Sequence, residues 1–436
     1  MEPLVVGIIM IVMLLLLIFV GMPIAFSLGL SGVFCLLAIK GWKVTWGFLM
    51  STPYNTSFNW AFVVLPLFIL TGELAFASGI GKNAFDIANK WFGRLKGGLA
   101  IATIVGCGIF GAVCGSSLAA ASAMGKITIP EMRRFKYSVE LAVGTVAAGG
   151  TLSIMIPPSG ILVIYGILTE ESIGKLLIAG ILPGVLSVII YSIGIYIWTK
   201  INPDIAPPTK KSYSWREKVS SLKESYGALI IFIIIIGGIY TGFATPNEAA
   251  ALGALAALIM MLIICKNRIS VMGESLRNTT RVTCMFLFIV ICAAFFTLGL
   301  AVSGIPDQLT KYMTSLGIHP LALMALLLIP YIPLGMLLDT VSMLVITIPV
   351  IYPVVKALGF SGIWFGILVT KLIEVSLMTP PVGLNVFVIG GIVPDVPISR
   401  IFKGCVPFLM MDFVTLSLLF FFPEISTWLP DSMLTK

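Results

Sequence analysis

The residues best placed to do chemistry surround two proline pairs. Thr151-Leu152-Ser153-Ile154-Met155-Ile156-Pro157-Pro158-Ser159 and Ser376-Leu377-Met378-Thr379-Pro380-Pro381-Val382-Gly383 each lead an apolar run dotted with hydroxyls into consecutive prolines. A proline pair removes two backbone donors and disfavours helical geometry just before it, so carbonyls upstream are left without partners. Such carbonyls are intolerable against lipid but useful around a cation. With neutral hydroxyls beside them they suit a hard monovalent ion such as Na⁺. Two further interruptions share this character, Gly115-Ser116-Ser117 and Asp339-Thr340. Each feature also has a plainer reading. A lone proline pair marks a kink, Asp339 reads equally as a helix cap, and small residues over 106–125 also serve close helix packing.

Ionisable groups inside apolar runs are functional hypotheses by default. Lys371 and Glu374 stand three apart on one helix and can pair with each other. Glu73 and Asp412 read as buried polar contacts or as contacts to a partner subunit. His319, the single histidine, precedes Pro320 and reads as a polar helix-start residue. Enzyme chemistry finds no support, because there is no HExxH metal motif and no nucleophile with a base. An ATP-driven pump fares no better, since Gly81-Lys82, Gly125-Lys126 and Gly174-Lys175 are not followed by Ser or Thr. The seven cysteines lie in or beside apolar runs without metal spacing and read as small buried side chains.

The elements that must hold these groups follow from composition. Of 436 residues, 58% are apolar and 11% charged, with mean hydropathy +1.09. So few ionic groups cannot cover a globular surface, which excludes a soluble enzyme and a nucleic-acid binder. Lipid is the solvent, and the expected class is an all-α polytopic membrane protein. Apolar runs occur at 4–20, 24–39, 60–78, 138–168, 176–199, 225–243, 249–264, 282–302, 361–393 and 404–423, with two broken runs at 98–130 and 319–356.

Basic residues decide how the broken runs sit. Lys82, Lys90, Arg94 and Lys96 precede run 98–130 and Lys126, Arg133, Arg134 and Lys136 close it, so both ends favour the cytoplasm and the run reads as a re-entrant hairpin. Alternating sides from there puts 20 of the 27 Lys and Arg in the cytoplasm, among them Lys210 and Lys211. Six lie outside (Lys40, Lys43, Lys175, Lys311, Lys356, Lys436), and Lys371 lies within a span. Run 319–356 must then be a hairpin from the opposite face, with both termini outside the cytoplasm.

The chain also repeats itself. The octets at 153–160 and 376–383 match at five of eight positions at an offset of 223, Ser78-Gly79-Ile80 recurs as Ser303-Gly304-Ile305, and Pro183 as Pro407. Each half carries one hairpin between these landmarks, on opposite faces, so the halves are inverted repeats. Inverted repeats with interrupted helices point to a secondary transporter that binds near the bilayer midplane.

With Gly149-Gly150-Thr151-Leu152, Ile156-Pro157-Pro158-Ser159, Gly115-Ser116-Ser117-Leu118-Ala119 leading to Ile129-Pro130-Glu131-Met132, and Thr379-Pro380-Pro381-Val382-Gly383-Leu384-Asn385, the chain resembles the large membrane subunit of tripartite ATP-independent periplasmic (TRAP) transporters, the DctM/SiaM type. The similarity covers essentially its whole length. It implies an elevator-type importer in the bacterial inner membrane, driven by a Na⁺ gradient. A small four-helix membrane subunit and a periplasmic binding protein that delivers a small organic acid, such as a C4-dicarboxylate or sialic acid, would be its partners. The implied division is scaffold helices at 1–59, a first repeat at 60–199, a cytoplasmic loop and scaffold helices at 200–281, a second repeat at 282–424 and a tail at 425–436. One Na⁺ site is implied between Gly115, Ser116 and Ser117 and the break at Gly150, Ser153 and Pro157. Its mate is implied between Asp339 and Thr340 and the break at Met378, Thr379 and Gly383. The acid would lie between them, near Ser116, Ser117, Thr151, Ser159, Thr340 and Asn385. The rival reading is a stand-alone ion-coupled anion symporter that takes free substrate.

Overall fold

A computed structural model describes residues 2–207, 213–223 and 226–433. Lys210, Lys211 and Lys436, counted above in the charge balance, lie outside the described residues. The described chain is 84% helical and contains no strand, as expected where lipid obliges every backbone polar group to find a partner within its own segment.

The first half begins with α1 (Pro3–Phe19) and α2 (Ile24–Ser57). Just past the apolar run at 24–39 the helical geometry of α2 breaks at Gly41, with φ 75° and ψ 174°, and a second helical stretch follows the kink. α3 (Val64–Ala77) turns through Gly79 into α4 (Ile80–Phe92), followed by α5 (Gly98–Cys114), α6 (Ser117–Arg134), α7 (Val139–Met155), α8 (Gly160–Thr169), α9 (Ile173–Ala179) and α10 (Ile181–Ile201). Between the halves lie α11 (Trp215–Leu222), α12 (Tyr226–Phe232), a π turn at Ile233–Gly237, α13 (Gly238–Tyr240) and α14 (Pro246–Ile264). The second half comprises α15 (Arg268–Ser303), α16 (Ile305–Ser315), α17 (Pro320–Leu328), α18 (Tyr331–Leu337), α19 (Thr340–Ala357), α20 (Gly362–Ser376), α21 (Leu384–Ile392), α22 (Ile398–Phe421) and α23 (Glu424–Asp431).

The repeat is visible element by element. Each Ser-Gly-Ile landmark is a sharp turn on a left-handed glycine, Gly79 at φ 76° and Gly304 at φ 70°. Each turn starts an amphipathic helix, α4 or α16, which the search for apolar runs passed over because only one face is apolar. A broken hairpin follows in each half, then a serine-capped helix. Ser138 accepts the Leu141 N–H at 3.3 Å and Ser361 the Trp364 N–H at 3.4 Å. α7 and α20 then run into their proline pairs, both of which contain a cis peptide bond.

Among the described residues, eight helical segments are long and apolar enough to cross a membrane, or up to ten if each of two bent pairs is one span. The arms Pro320–Leu337 and Thr340–Ala357 are among the eight, so length alone does not tell a hairpin arm from a crossing. Polar contacts between loops do. On one face Arg133 meets Asp395 at 2.9 Å, Arg400 meets Glu140, the Ser138 N–H reaches the Ile205 carbonyl at 2.8 Å, and the Trp91 indole donates to the Lys218 carbonyl at 3.2 Å. On the other, Lys356 meets Glu171 at 2.7 Å and the Asn247 amide donates to the Trp60 carbonyl at 3.0 Å. These contacts join only loops that the charge pattern places on the same side. The bent span α7–α8 connects Ser138 at one face to Glu171 at the other, so the far ends of the two hairpins lie on opposite faces. In the first hairpin α5 packs on α6 and the Leu99 N–H donates to the Tyr137 hydroxyl at 3.3 Å, which brings both of its ends to one face.

Packing separates the helices into two groups. α1, α2, α3, α14 and α15 pack chiefly on one another, with α2 laid along α15. α5, α6, α7, α10, α20, α21 and α22 form the second group, which contains both proline breaks.

Candidate functional site

The two proline pairs leave carbonyls free for a definable reason. α7 would continue past Met155, but Pro157 and Pro158 have no N–H to offer the carbonyls of Ser153 and Ile154. The last helical bond runs from the Ile156 N–H to the Leu152 carbonyl at 2.9 Å. In the second break the Leu377 carbonyl is recaptured by the Asn385 N–H at 3.1 Å, and the Ser376 carbonyl by the Thr379 N–H at 3.2 Å. The released carbonyls there are those of Met378 and Thr379.

The tip of the first hairpin is pressed against both breaks. Gly115, at φ 63°, ends α5 so close to the first break that a Cβ would stand 2.5 Å from the Pro158 carbonyl oxygen. Ser116 caps α6, accepting the Ala119 N–H at 3.4 Å, and is exposed. Ser117 is buried and donates its hydroxyl to the Asn385 side-chain oxygen at 2.8 Å; the Asn385 amide in turn donates to the Ala147 carbonyl of α7 at 3.0 Å. The N-terminal ends of α6 and α21 thus meet at one hydrogen bond. Helix N-termini present unpaired N–H groups and the positive ends of their dipoles, an arrangement that favours an anion.

The arms of both hairpins sit on the breaks through matching contacts. A Cβ at Gly111 would lie 2.8 Å from the Ser153 hydroxyl oxygen, and one at Gly335 would lie 2.3 Å from the Ser376 Cβ. Gly111 and Gly335, like Ser153 and Ser376, occupy equivalent repeat positions. Ser153 Oγ is buried without a hydrogen-bond partner, so together with the free carbonyls it gives the first break an uncommitted oxygen.

Other candidate residues have more local roles. Gly150 lies within α7, where a Cβ would meet the Ala121 Cβ at 2.8 Å, so it lets α6 and α7 approach closely. Thr151 returns its hydroxyl to the Ala148 carbonyl at 2.8 Å, and Ser159 caps α8 by accepting the Leu162 N–H at 3.3 Å. Asp339 caps α19, accepting the Val341 and Ser342 N–H groups at 3.0 and 3.1 Å. Its other oxygen accepts the Ser342 hydroxyl. Among the described residues no hydrogen bond joins Asp339 or Thr340 to Met378, Thr379 or Gly383. The first break is enclosed, with Pro157, Pro158 and Ser159 buried, whereas Pro380 and Pro381 of the second are exposed.

The structure also resolves the membrane-embedded charges. Lys371 pairs with Glu374 at 2.7 Å, as their spacing suggested, and additionally with Asp412 of α22 at 2.7 Å. The second pairing joins residues far apart in sequence, and no local spacing signals it. Glu73 accepts from the Asn278 amide at 3.2 Å, linking α3 to α15. His319 caps α17, its Nδ1 accepting the Leu321 N–H at 3.3 Å. A cavity of about 440 Å³ lies away from the breaks, between α2, α8 and α15, with Thr52, Asn55 and Thr297 in its wall.

Comparison with known proteins places this geometry. The family model described as tripartite ATP-independent periplasmic transporter, DctM component, matches residues 11–425. The chain is 34% identical over 406 residues to the C4-dicarboxylate TRAP transporter large permease protein DctM of Pseudomonas aeruginosa, covering 93% of this chain and 94% of that one. It is 31% identical over 420 residues to the sialic acid TRAP transporter large permease protein SiaM of Vibrio cholerae, covering 96% and 97%. The solved structure of the Alcanivorax borkumensis YdaH transporter shares the fold, with a TM-score of 0.60, 13% identity and 90% of each chain covered.

Proposed function

Because this chain belongs to the DctM component family of tripartite ATP-independent periplasmic transporters, and is therefore a multi-pass permease subunit rather than an enzyme, we propose that it imports a small organic acid in symport with Na⁺ by an elevator movement. The observation that carries this reading is the position of the first hairpin tip, which presses on the first break at Gly115 and Pro158 and bonds the helix after the second through Ser117 and Asn385. Two helix N-termini point there, offering an acid carboxylate N–H groups and hydroxyls. The free carbonyls of Ser153 and Ile154, the partnerless Ser153 hydroxyl and the carbonyls of Met378 and Thr379 offer neutral oxygens to Na⁺. With ligands of that kind, each bound Na⁺ brings a positive charge close to the carboxylate, so acid and ion favour each other's binding.

The grouping of helices supports the elevator component. The breaks and the first hairpin share one packed body, and α2 with α15 forms the core of another. Moving the first past the second would carry the Ser117–Asn385 region from one face to the other. The names of the relatives support an organic acid, and the family supports a small membrane subunit and a periplasmic binding protein as partners. The excess of Lys and Arg on the face of Arg133 and Arg400 supports a cytoplasmic assignment for that face in the inner membrane, with both termini periplasmic.

Reconstituted vesicles test the proposal. Uptake of a labelled C4-dicarboxylate or sialic acid is expected only with the binding protein, the small subunit and an inward Na⁺ gradient. Uptake of free acid without the binding protein would favour the stand-alone symporter instead, and uptake indifferent to Na⁺ would remove the coupling ion.

A further inference from the structure

A buried charge cluster lies beside the second proline break, at positions that are uncharged in the first repeat. Lys371 and Glu374 lie on α20, Asp412 on α22, and all three are fully buried. The ammonium of Lys371 contacts Glu374 Oε2 and Asp412 Oδ1, each at 2.7 Å, and the Ser187 hydroxyl of α10 at 3.2 Å. Tyr191 of α10 donates its hydroxyl to the same Asp412 oxygen. Glu374 Oε1 and Asp412 Oδ2 are buried with no partner. Two carboxylates share one ammonium, and among the described residues no other cation pairs with either, so with both ionised the cluster carries one formal negative charge in excess.

The equivalent positions of the first repeat, Ala148, Thr151 and Val188, are uncharged. The same helix arrangement is thus built without charge in one half. An uncompensated buried charge is costly, which calls for a role. Glu374 sits in the last turn of α20, four to five residues before Met378 and Thr379, whose N–H groups turn back onto the Val375 and Ser376 carbonyls and keep the break against the helix end. The α20 C-terminus adds its negative dipole end at the same place.

We infer that the Lys371–Glu374–Asp412 cluster is a fixed net-negative charge that sets the Na⁺ affinity of the second break, whose own ligands are neutral carbonyls and a hydroxyl. The inference rests on the Na⁺-coupled reading above. One unit charge at about 10 Å and an effective dielectric near 20 changes the affinity for a monovalent cation by about tenfold. Asp412 and Glu374 act through the field and do not touch the ion.

The test is equilibrium ²²Na⁺ binding to the purified full-length chain, with monodisperse elution as the folding control. Glu374→Gln and Asp412→Asn, which remove the excess charge, are expected to raise the half-saturating Na⁺ of one binding component about tenfold. Lys371→Met, which adds to it, is expected to lower that value. The double variant K371M/E374Q restores one net negative charge while abolishing the ion pair, and is expected to return to within about threefold of wild type. A purely structural ion pair would instead make all the variants lose Na⁺ binding together, with the double variant no better than the singles, and that result overturns the inference. Wild-type protein that binds no Na⁺ overturns the coupling reading itself, and is distinguished by needing no variant. If a single variant fails to fold, Asp412→Asn against the double variant still decides the sign.

Discussion

Ser117 and Asn385 are 268 residues apart in the chain, yet the serine hydroxyl donates to the asparagine side-chain oxygen at 2.8 Å inside a buried contact. The bond ties the first hairpin to the helix that follows the second proline pair. Asn385 passes the connection on to the Ala147 carbonyl of α7, so three interrupted elements share one polar link.

Asn385→Ala is expected to be the more damaging change at this link, because it strands the buried Ser117 hydroxyl and also removes the bond to the Ala147 carbonyl of α7. A buried hydroxyl left without its partner costs about 1–3 kcal/mol. Uptake in vesicles should fall at least tenfold at equal protein, while Ser117→Ala, which removes one donor and leaves Asn385 bound to Ala147, should fall less. Equal losses would mean the link does not carry the difference.

Replacing Ser117 or Thr379 with leucine is expected to weaken Na⁺ activation without preventing membrane insertion. Thr379 Oγ donates to the Val375 carbonyl at 2.6 Å beside the released carbonyls of the second break, and a bulky apolar group there displaces neutral oxygen from the proposed ion path. The measurement is uptake against Na⁺ concentration. Unchanged Na⁺ activation in both variants would exclude the side chains as ligands and leave only backbone ligation.

Gly111→Ala and Gly335→Ala are expected to destabilise the protein by similar amounts, about 1–3 kcal/mol each, because each places a methyl group into the matching serine contact at 2.8 or 2.3 Å. Gly391→Ala, in a helix with no atom within 4 Å of the new Cβ, should be neutral or stabilising by about 0.5–1 kcal/mol. Thermal melting in detergent orders the three. A Gly335 variant as stable as the Gly391 variant would contradict the contact.

Glu171 lies in the turn between α8 and α9. Burial pushes its carboxyl up, but bonds from the Lys356 ammonium and the Tyr352 hydroxyl outweigh that and hold it below the ordinary value of 4.5. A depressed folded value means the ionised form stabilises the fold, fully above 4.5 and progressively less as pH falls through the folded value. Glu171→Gln is therefore expected to melt lower at pH 7, by the equivalent of about 0.5–1 kcal/mol, with the gap to wild type closing in acid below 4.5. A gap of constant size down to pH 3 would point to packing rather than charge.

Much of this molecule is legible along the chain. Hydropathy marks the crossings because transferring apolar side chains to lipid is a local sum over about 20 residues. The proline pairs announce free carbonyls because the missing N–H belongs to the proline itself. The distribution of Lys and Arg separates the faces, and every loop-to-loop contact described above respects that separation. The amphipathic helices α4 and α16 are not marked by apolar runs, since half of each helix surface is polar, and α2 outlasts its apolar run because a second helical stretch follows the break at Gly41.

The composition and the repeat thus determined, from sequence alone, a lipid-embedded helical transporter with two symmetric interruptions. Tertiary structure alone decided what those interruptions face. Asp339 and Ser159 cap helices, Gly150 opens space between α6 and α7, and Ser117 finds Asn385. Lys371, whose neighbour Glu374 was a visible partner, is shared with Asp412. The reason is physical. Backbone donor loss and transfer to lipid act within a few residues, whereas a hydrogen bond or buried ion pair forms only where two distant segments arrive within about 3 Å of each other, a distance set by how whole helices pack.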